Sequence, residues 1–152
     1  MTYRIVDEPA PSPLERLTVN PFWPLLGSML AGAWLAWPWF ALNSFALGRG
    51  RRFDVDLGVL AIGLSLNAAL VLGLEKALTL ELFEGAQYFA LLPQAARLTV
   101  LYVVFLRQQR TFQLFEHFGG VGRNGLLVVI AASFVRGSVL SHVPPLWRLL
   151  LG

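Results

Sequence analysis

The sequence predicts an all-α integral membrane protein: a four-helix bundle with a short interfacial segment between its second and third helices. Two observations carry that prediction. Apolar residues make up 56% of the chain and charged residues only 14%, against about 45–50% and about 25% in soluble domains. The apolar residues fall into four long runs, each close to the ~20 residues needed to cross ~30 Å of hydrocarbon. A soluble domain this apolar would expose patches it could not hide, so the excess is expected to face lipid.

The 152 residues form one domain, with room for three to five spans. Residues 1–20 are a polar tail bearing Pro9, Pro11 and Pro13. With Asp7 and Glu8 ahead of any long apolar run, the tail does not look like a cleavable signal peptide. Asn20 before Pro21 is a favourable helix start, an Asn cap with Pro at the first helical position. From 22 to 47 no charge appears, so a first spanning helix is expected there, bent at Pro38. Gly48 and "GRGRRFDVD" then make a charged turn, and 55–74 is the second span. Residues 75–85, "EKALTLELFEG", alternate charge with Leu and Phe, as an interfacial connection does. The third span, 87–106, contains Pro93 and Arg97, and its helix is expected to run past the membrane to Gly119-Gly120. The fourth, 124–143, contains Arg136 and His142. Pro144-Pro145 ends it, leaving 144–152 as an interfacial tail with Trp147 in the aromatic belt.

The two intramembrane arginines are the sharpest chemical signal, because a charge in hydrocarbon is costly and normally faces the bundle with a partner. Four spans place Asn67, Arg97 and Arg136 at one depth, roughly 10–15 Å from the tail-side surface. Two arginines at one depth repel unless an anion lies between them. That anion could be Glu75, Glu81, Glu84 or a lipid phosphate. The expectation is a basic anion- or lipid-binding pocket. The competing reading draws each run one turn too long and lets both arginines snorkel to an interface.

Other features read as membrane architecture. Asn43 and Asn67 are expected to hydrogen-bond between helices, helped by the small pairs Ser28/Gly32 and Ala69/Gly73. Trp23 and Trp39 suit the interfacial belt, and Trp34 and Trp37 share a helix face, which suggests lipid contact and packing or, alternatively, an aromatic cage. The four runs are read as free of Asp and Glu, with Asp56 counted in the charged turn, which argues against a proton relay or an aspartyl protease. His117 and His142 fall on opposite sides and no HExxH spacing exists, so no metal or other cofactor is expected. The absence of Cys excludes thiolate chemistry. "GGVGRNG" lacks the GxxxxGK[ST] pattern and reads as a turn.

Eleven of the twelve basic residues are Arg, placed between runs rather than along one face, a lipid-surface pattern rather than a nucleic-acid one. Arg49, Arg51, Arg52, Arg107, Arg110 and Arg123 would face one side, and Arg4, Arg16, Lys76 and Arg148 the other. The bias puts both termini outside the cytoplasm of an inner membrane.

Two stretches, "GSMLAGAWLAWPWFALNSFALG" and "RQQRTFQLFEHFGG", resemble a family of small, uncharacterised bacterial multipass membrane proteins. That family has small residues and an Asn before a Leu-Gly stop in its first helix, and Gln and His leading to a Gly pair after the third span. The resemblance implies four spans and no catalytic activity. The expected role is therefore a non-enzymatic accessory, scaffold or protective subunit. Its partners would be the bilayer and a membrane protein or a second copy, not nucleic acid. Lipid or anion binding through Arg97 and Arg136 is the alternative.

Overall fold

The computed structural model describes residues 14–47, 53–80 and 85–152, and among these the fold is all-helical. Helices α1 (Phe22–Leu30) and α2 (Ala33–Ala46) are followed by α3 (Phe53–Thr79), α4 (Leu91–His117), α5 (Leu126–Ser141) and α6 (Arg148–Leu151). Single 3-10 turns stand at Glu15–Leu17 and Ala86–Ala90. The helices α3 and α4 are each 27 residues long. Two stretches, Val55–Thr79 and Tyr88–His117, are long and apolar enough to cross a membrane.

The first apolar run is not one helix. It breaks at Ala31-Gly32, where Gly32 adopts φ +112°, a left-handed-side conformation that glycine tolerates and other residues resist. The chain reverses there and α2 packs back along α1. A side chain at Gly27 would touch Leu35 and Trp39, residues of the returning helix. The open ends of the hairpin also meet, with the Val19 N–H donating to Asn43 Oδ1 at 3.0 Å. At about 1.5 Å per residue, the 9 residues of α1 and 14 of α2 span only about 14 and 21 Å. The predicted bend at Pro38 is displaced, since Pro38 lies within α2 and the break comes at Gly32 instead.

Two further boundaries move. Helix α3 runs on to Thr79, through the start of the expected interfacial connection, and residues 81–84 lie outside the described part. Helix α4 continues to His117 as expected, and Gly119 at φ +87° turns the chain out of it.

Helices α3 and α4 form the long antiparallel frame. Their seam runs from Asn67 against Pro93, through Gly63 against Val100, to Asp56 against Arg107. A Cβ on Gly63 would overlap the Val100 methyl groups, so this glycine sets the close approach of the two helices. The hairpin leans on the frame through Ala33, Ala36, Trp37 and Phe40, which cluster with Leu60, Leu101 and Val104. Helix α5 lies parallel to α1. Its start, Gly125, sits against Trp23 and Trp39, and Arg136 reaches the far end of α1 at Leu30.

This arrangement decides which segments share an end of the bundle. The Arg123 N–H donates to the Thr18 carbonyl at 2.8 Å, so residues 16–20 lie at the same end of the bundle as Arg123 and Arg107. Helix α5 then carries the chain towards the opposite end. The segments around Arg16 and around His142 are therefore at opposite ends, because the first run enters and returns where a spanning helix would have crossed.

Candidate functional site

Beside its apolar core this protein encloses a set of polar side chains and leaves many large apolar ones on the outside. Its fully or nearly enclosed side chains include Thr18, Asn43, Ser44, Asp56, Asn67, Arg97 and Gln108, while Ile62, Leu127 and Phe134 are 71, 79 and 85% exposed. The enclosed polar groups gather at two levels.

One level lies at the open end of the hairpin. Gln108 on α4 is completely buried and bridges to α2, its Nε2 donating to the Phe40 carbonyl at 2.8 Å and to Ser44 Oγ at 2.6 Å. Its Oε1 accepts from Asn43 Nδ2 at 3.1 Å. Asn43 thus joins three segments: the Val19 backbone, its own helix and α4. Beside this network the Arg107 guanidinium donates to the fully buried Asp56 carboxylate at 2.6 Å. Sequence reasoning missed both Gln108 and Asp56. The sequence pattern puts residues 107–118 past the membrane and Asp56 in the charged turn, whereas Asp56 lies within α3. The only available signal was that Asp56 lies inside the 55–74 run and Arg107 just outside the next.

The second level lies at the closed tip of the hairpin, where Leu30–Gly32 meet the segment Leu149–Gly152. A Cβ on Gly32 would stand 2.7 Å from the Leu151 carbonyl oxygen. Arg97 donates from Nη1 to the Leu149 carbonyl and Arg136 donates from Nη1 to the Leu30 carbonyl, both at 3.1 Å. The structure therefore brings the two predicted arginines, from α4 and α5, to the junction of the hairpin tip and the terminal segment. Arg97 is only 7% exposed and its Nε–H has no partner, while Arg136 is partly exposed.

Asn67 does not join them. Its Nδ2 donates to the Pro93 carbonyl across the α3–α4 seam, one helical turn before Arg97, and its Oδ1 is left without a partner. Of the acidic partners considered for the arginines, Glu75 forms no ion pair with either, and Glu81 and Glu84 lie outside the described residues. The tryptophans form no cage. Trp34 Nε1 donates to the Ala31 carbonyl, Trp37 is buried in the core, and Trp23 and Trp39 pack at Gly125.

The small residues Ala69 and Gly73, with Ala77 one turn further, line a shallow apolar groove with Phe89, Leu92 and Pro93. Nothing lies within 4 Å of a Cβ built at Gly73, so among the described residues that position is open, while Ala77 is buried. Compared with known proteins, the chain matches no family model, no curated protein and no solved structure.

Proposed function

We propose that this is a small multi-span protein of a bacterial inner membrane that acts as a non-enzymatic accessory or scaffold subunit. The observation that carries the reading is the apolar exterior: large apolar side chains cover the outside of α3, α4 and α5, while Asn43, Asn67, Arg97 and Gln108 are enclosed among the helices. Water would penalise that arrangement, whereas hydrocarbon favours it and makes internal polar pairing the main force between helices. The polar side chains at the open end of the hairpin bind helix to helix, which is a structural role.

In this reading α3 and α4 cross the bilayer, and α5 crosses with help from the residues that follow it. The α1–α2 hairpin is re-entrant. Its shorter arm of about 14 Å reaches half-way into a ~30 Å core, and irregular backbone at that depth is tolerated because protein surrounds it. Among the described residues, Arg16, Arg107, Arg110 and Arg123 mark one end, and Lys76 and Arg148 the other. The Arg-rich end is then cytoplasmic, which places the segment around Arg16 inside the cell rather than outside. A partner helix or a second copy would seat on the Ala69–Gly73–Ala77 stripe.

The chain has no Cys, so single-cysteine variants can be labelled with a membrane-impermeant reagent. Arg16→Cys and Arg123→Cys should label from the same face of the membrane, and Lys76→Cys from the other. Release of the protein by alkaline carbonate, or labelling of positions 16 and 123 from opposite faces, would overturn the reading. A second reading, lipid or anion binding by Arg97 and Arg136, is favoured by the unpartnered Nε–H of Arg97.

A further inference from the structure

We propose that the junction of Arg97, Arg136, the hairpin tip and the Leu149–Gly152 segment binds one phosphate-bearing anion, which locks the hairpin to that segment. The proposal rests on the anion-binding reading above and adds the ligand's chemical class, its position and its effect.

Charge balance at the junction leads to the ligand. Arg97 and Arg136 bring two permanent positive charges, since a guanidinium keeps its proton in proteins. Among the described residues, their hydrogen-bond acceptors are the backbone carbonyls of Leu149 and Leu30. A helix C-terminus carries about half a negative charge and a helix N-terminus about half a positive one. The C-terminal end of α1 at Leu30 and the N-terminal end of α2 at Ala33 flank the same two-residue break, so their partial charges offset each other. Among the described residues the ion pair is Asp56–Arg107, at the other polar level, and no carboxylate side chain pairs with either junction arginine. Among the described side chains, none offsets the two guanidinium charges at the hairpin tip.

Geometry restricts what can neutralise them. Each guanidinium offers five N–H donors in a planar fork, and each commits Nη1 to a carbonyl. On Arg97 the Nε–H is enclosed and unpartnered. Two forks approaching from different helices suit a ligand with several acceptor oxygens around one centre, and a phosphate group presents them. The ligand enters on the side of Arg136, the partly exposed member, and Arg97 holds it from within. Because the arginines also hold Leu30 and Leu149, neutralising them removes the repulsion that pushes α1 and the terminal segment apart. The phosphate belongs either to a phospholipid headgroup or to a free phosphate compound.

The test uses the whole protein purified in a maltoside detergent. Phosphatidylglycerol, phosphatidylcholine or inorganic phosphate is added, and binding is followed by native mass spectrometry and thermal unfolding. A single bound phosphatidylglycerol that raises the melting temperature, with inorganic phosphate ineffective, identifies a lipid headgroup. A shift with inorganic phosphate as well identifies a free oxyanion. In either case Arg136→Gln should weaken binding at least tenfold, and Arg148→Gln, on the same segment but outside the pair, should leave it unchanged. Arg136→Lys keeps the charge without the fork and should bind with intermediate strength, which supplies a folded comparison where the Gln variant is unstable. Equal binding by wild type, Arg136→Gln and Arg136→Lys, or no binding by wild type, overturns the proposal. Phosphatidylcholine binding as tightly as phosphatidylglycerol also overturns it, because a pair with two uncompensated charges should prefer net negative lipid. Carbonate extraction of the same preparations separates the two failures. A protein that stays in the membrane but binds no anion refutes this site alone, whereas one that is released refutes the membrane reading itself.

Discussion

Replacing Gln108 with Leu should destabilise the fold by about 3 kcal/mol, far more than a polar-to-apolar change would cost on a lipid-facing surface. Gln108 makes three hydrogen bonds while fully buried, to Phe40, Ser44 and Asn43. Interhelical hydrogen bonds in membrane proteins contribute about 0.6 kcal/mol each on average, so losing three removes about 2 kcal/mol. The substitution also strands the Asn43 amide, because its Nδ2 donates only to Gln108, and an unsatisfied buried donor costs about 1–3 kcal/mol more. Asn43→Leu removes the same link from the other side and strands both the Val19 N–H and Gln108 Oε1. The two single variants therefore count one bond twice and each carries a stranding penalty that the double variant lacks. The double variant should cost about 3 kcal/mol less than the sum of the singles, about 0.6 for the shared bond and at least about 1 for each penalty, the upper end of the coupling found between contacting residues. Reversible unfolding in mixed micelles, with SDS as denaturant and tryptophan fluorescence as the signal, measures all four corners of the cycle. A coupling below about 0.3 kcal/mol, or wild-type stability for Gln108→Leu, would refute the view that this network joins the hairpin to α4.

Substitutions at Arg107, Asp56, Gly63 and Gly73 test the α3–α4 frame by the same unfolding assay. Arg107→Leu leaves the fully buried Asp56 carboxylate without its arginine and should cost about 3–5 kcal/mol. Asp56→Ala should cost less, because the Arg107 side chain is 39% exposed and can turn to solvent. Gly63→Ala should cost about 1–3 kcal/mol by driving a methyl into Val100, and adding Val100→Ala should recover most of the loss. Gly73→Leu, on the same helix, should leave the stability of the single chain unchanged because nothing lies within 4 Å of its Cβ position. If the groove there seats a partner helix or a second copy, that variant should lower energy transfer between labelled chains in vesicles.

The helical class was legible because it depends on composition and run length, which are local. The end of α4 near Gly119-Gly120 was legible for the same reason, since a glycine with positive φ stops a helix wherever it stands. The hairpin was not. Residues 22–47 have the hydropathy of one long span, and Gly32 is one of several small residues in it. What makes the chain reverse at Gly32 is non-local: Gly27 accepts Leu35 and Trp39 against it, and the Leu151 carbonyl closes over the turn. Gln108 and Asp56 were illegible for a related reason. A glutamine in "RQQR" looks solvated until the helix facing it is known, and its partners lie 64 to 68 residues earlier.

The two arginines illustrate the same boundary from the other side. Their types could be read from the sequence, and so could the difficulty of placing two like charges together. Their hydrogen-bond acceptors could not, because Leu30 and Leu149 offer backbone carbonyls that become available only where the hairpin tip and the terminal segment meet. The hairpin also changes what those charges do. Had residues 22–47 crossed in one piece, α1 would have had no terminus within the bundle and Arg136 no free carbonyl to hold. The break at Gly32 creates that acceptor, while the open end of the hairpin is fastened separately by Asn43 and Gln108. The two ends of the hairpin therefore rest on different chemistry: arginine to backbone carbonyl at the tip, and amide to amide and to backbone N–H at the mouth.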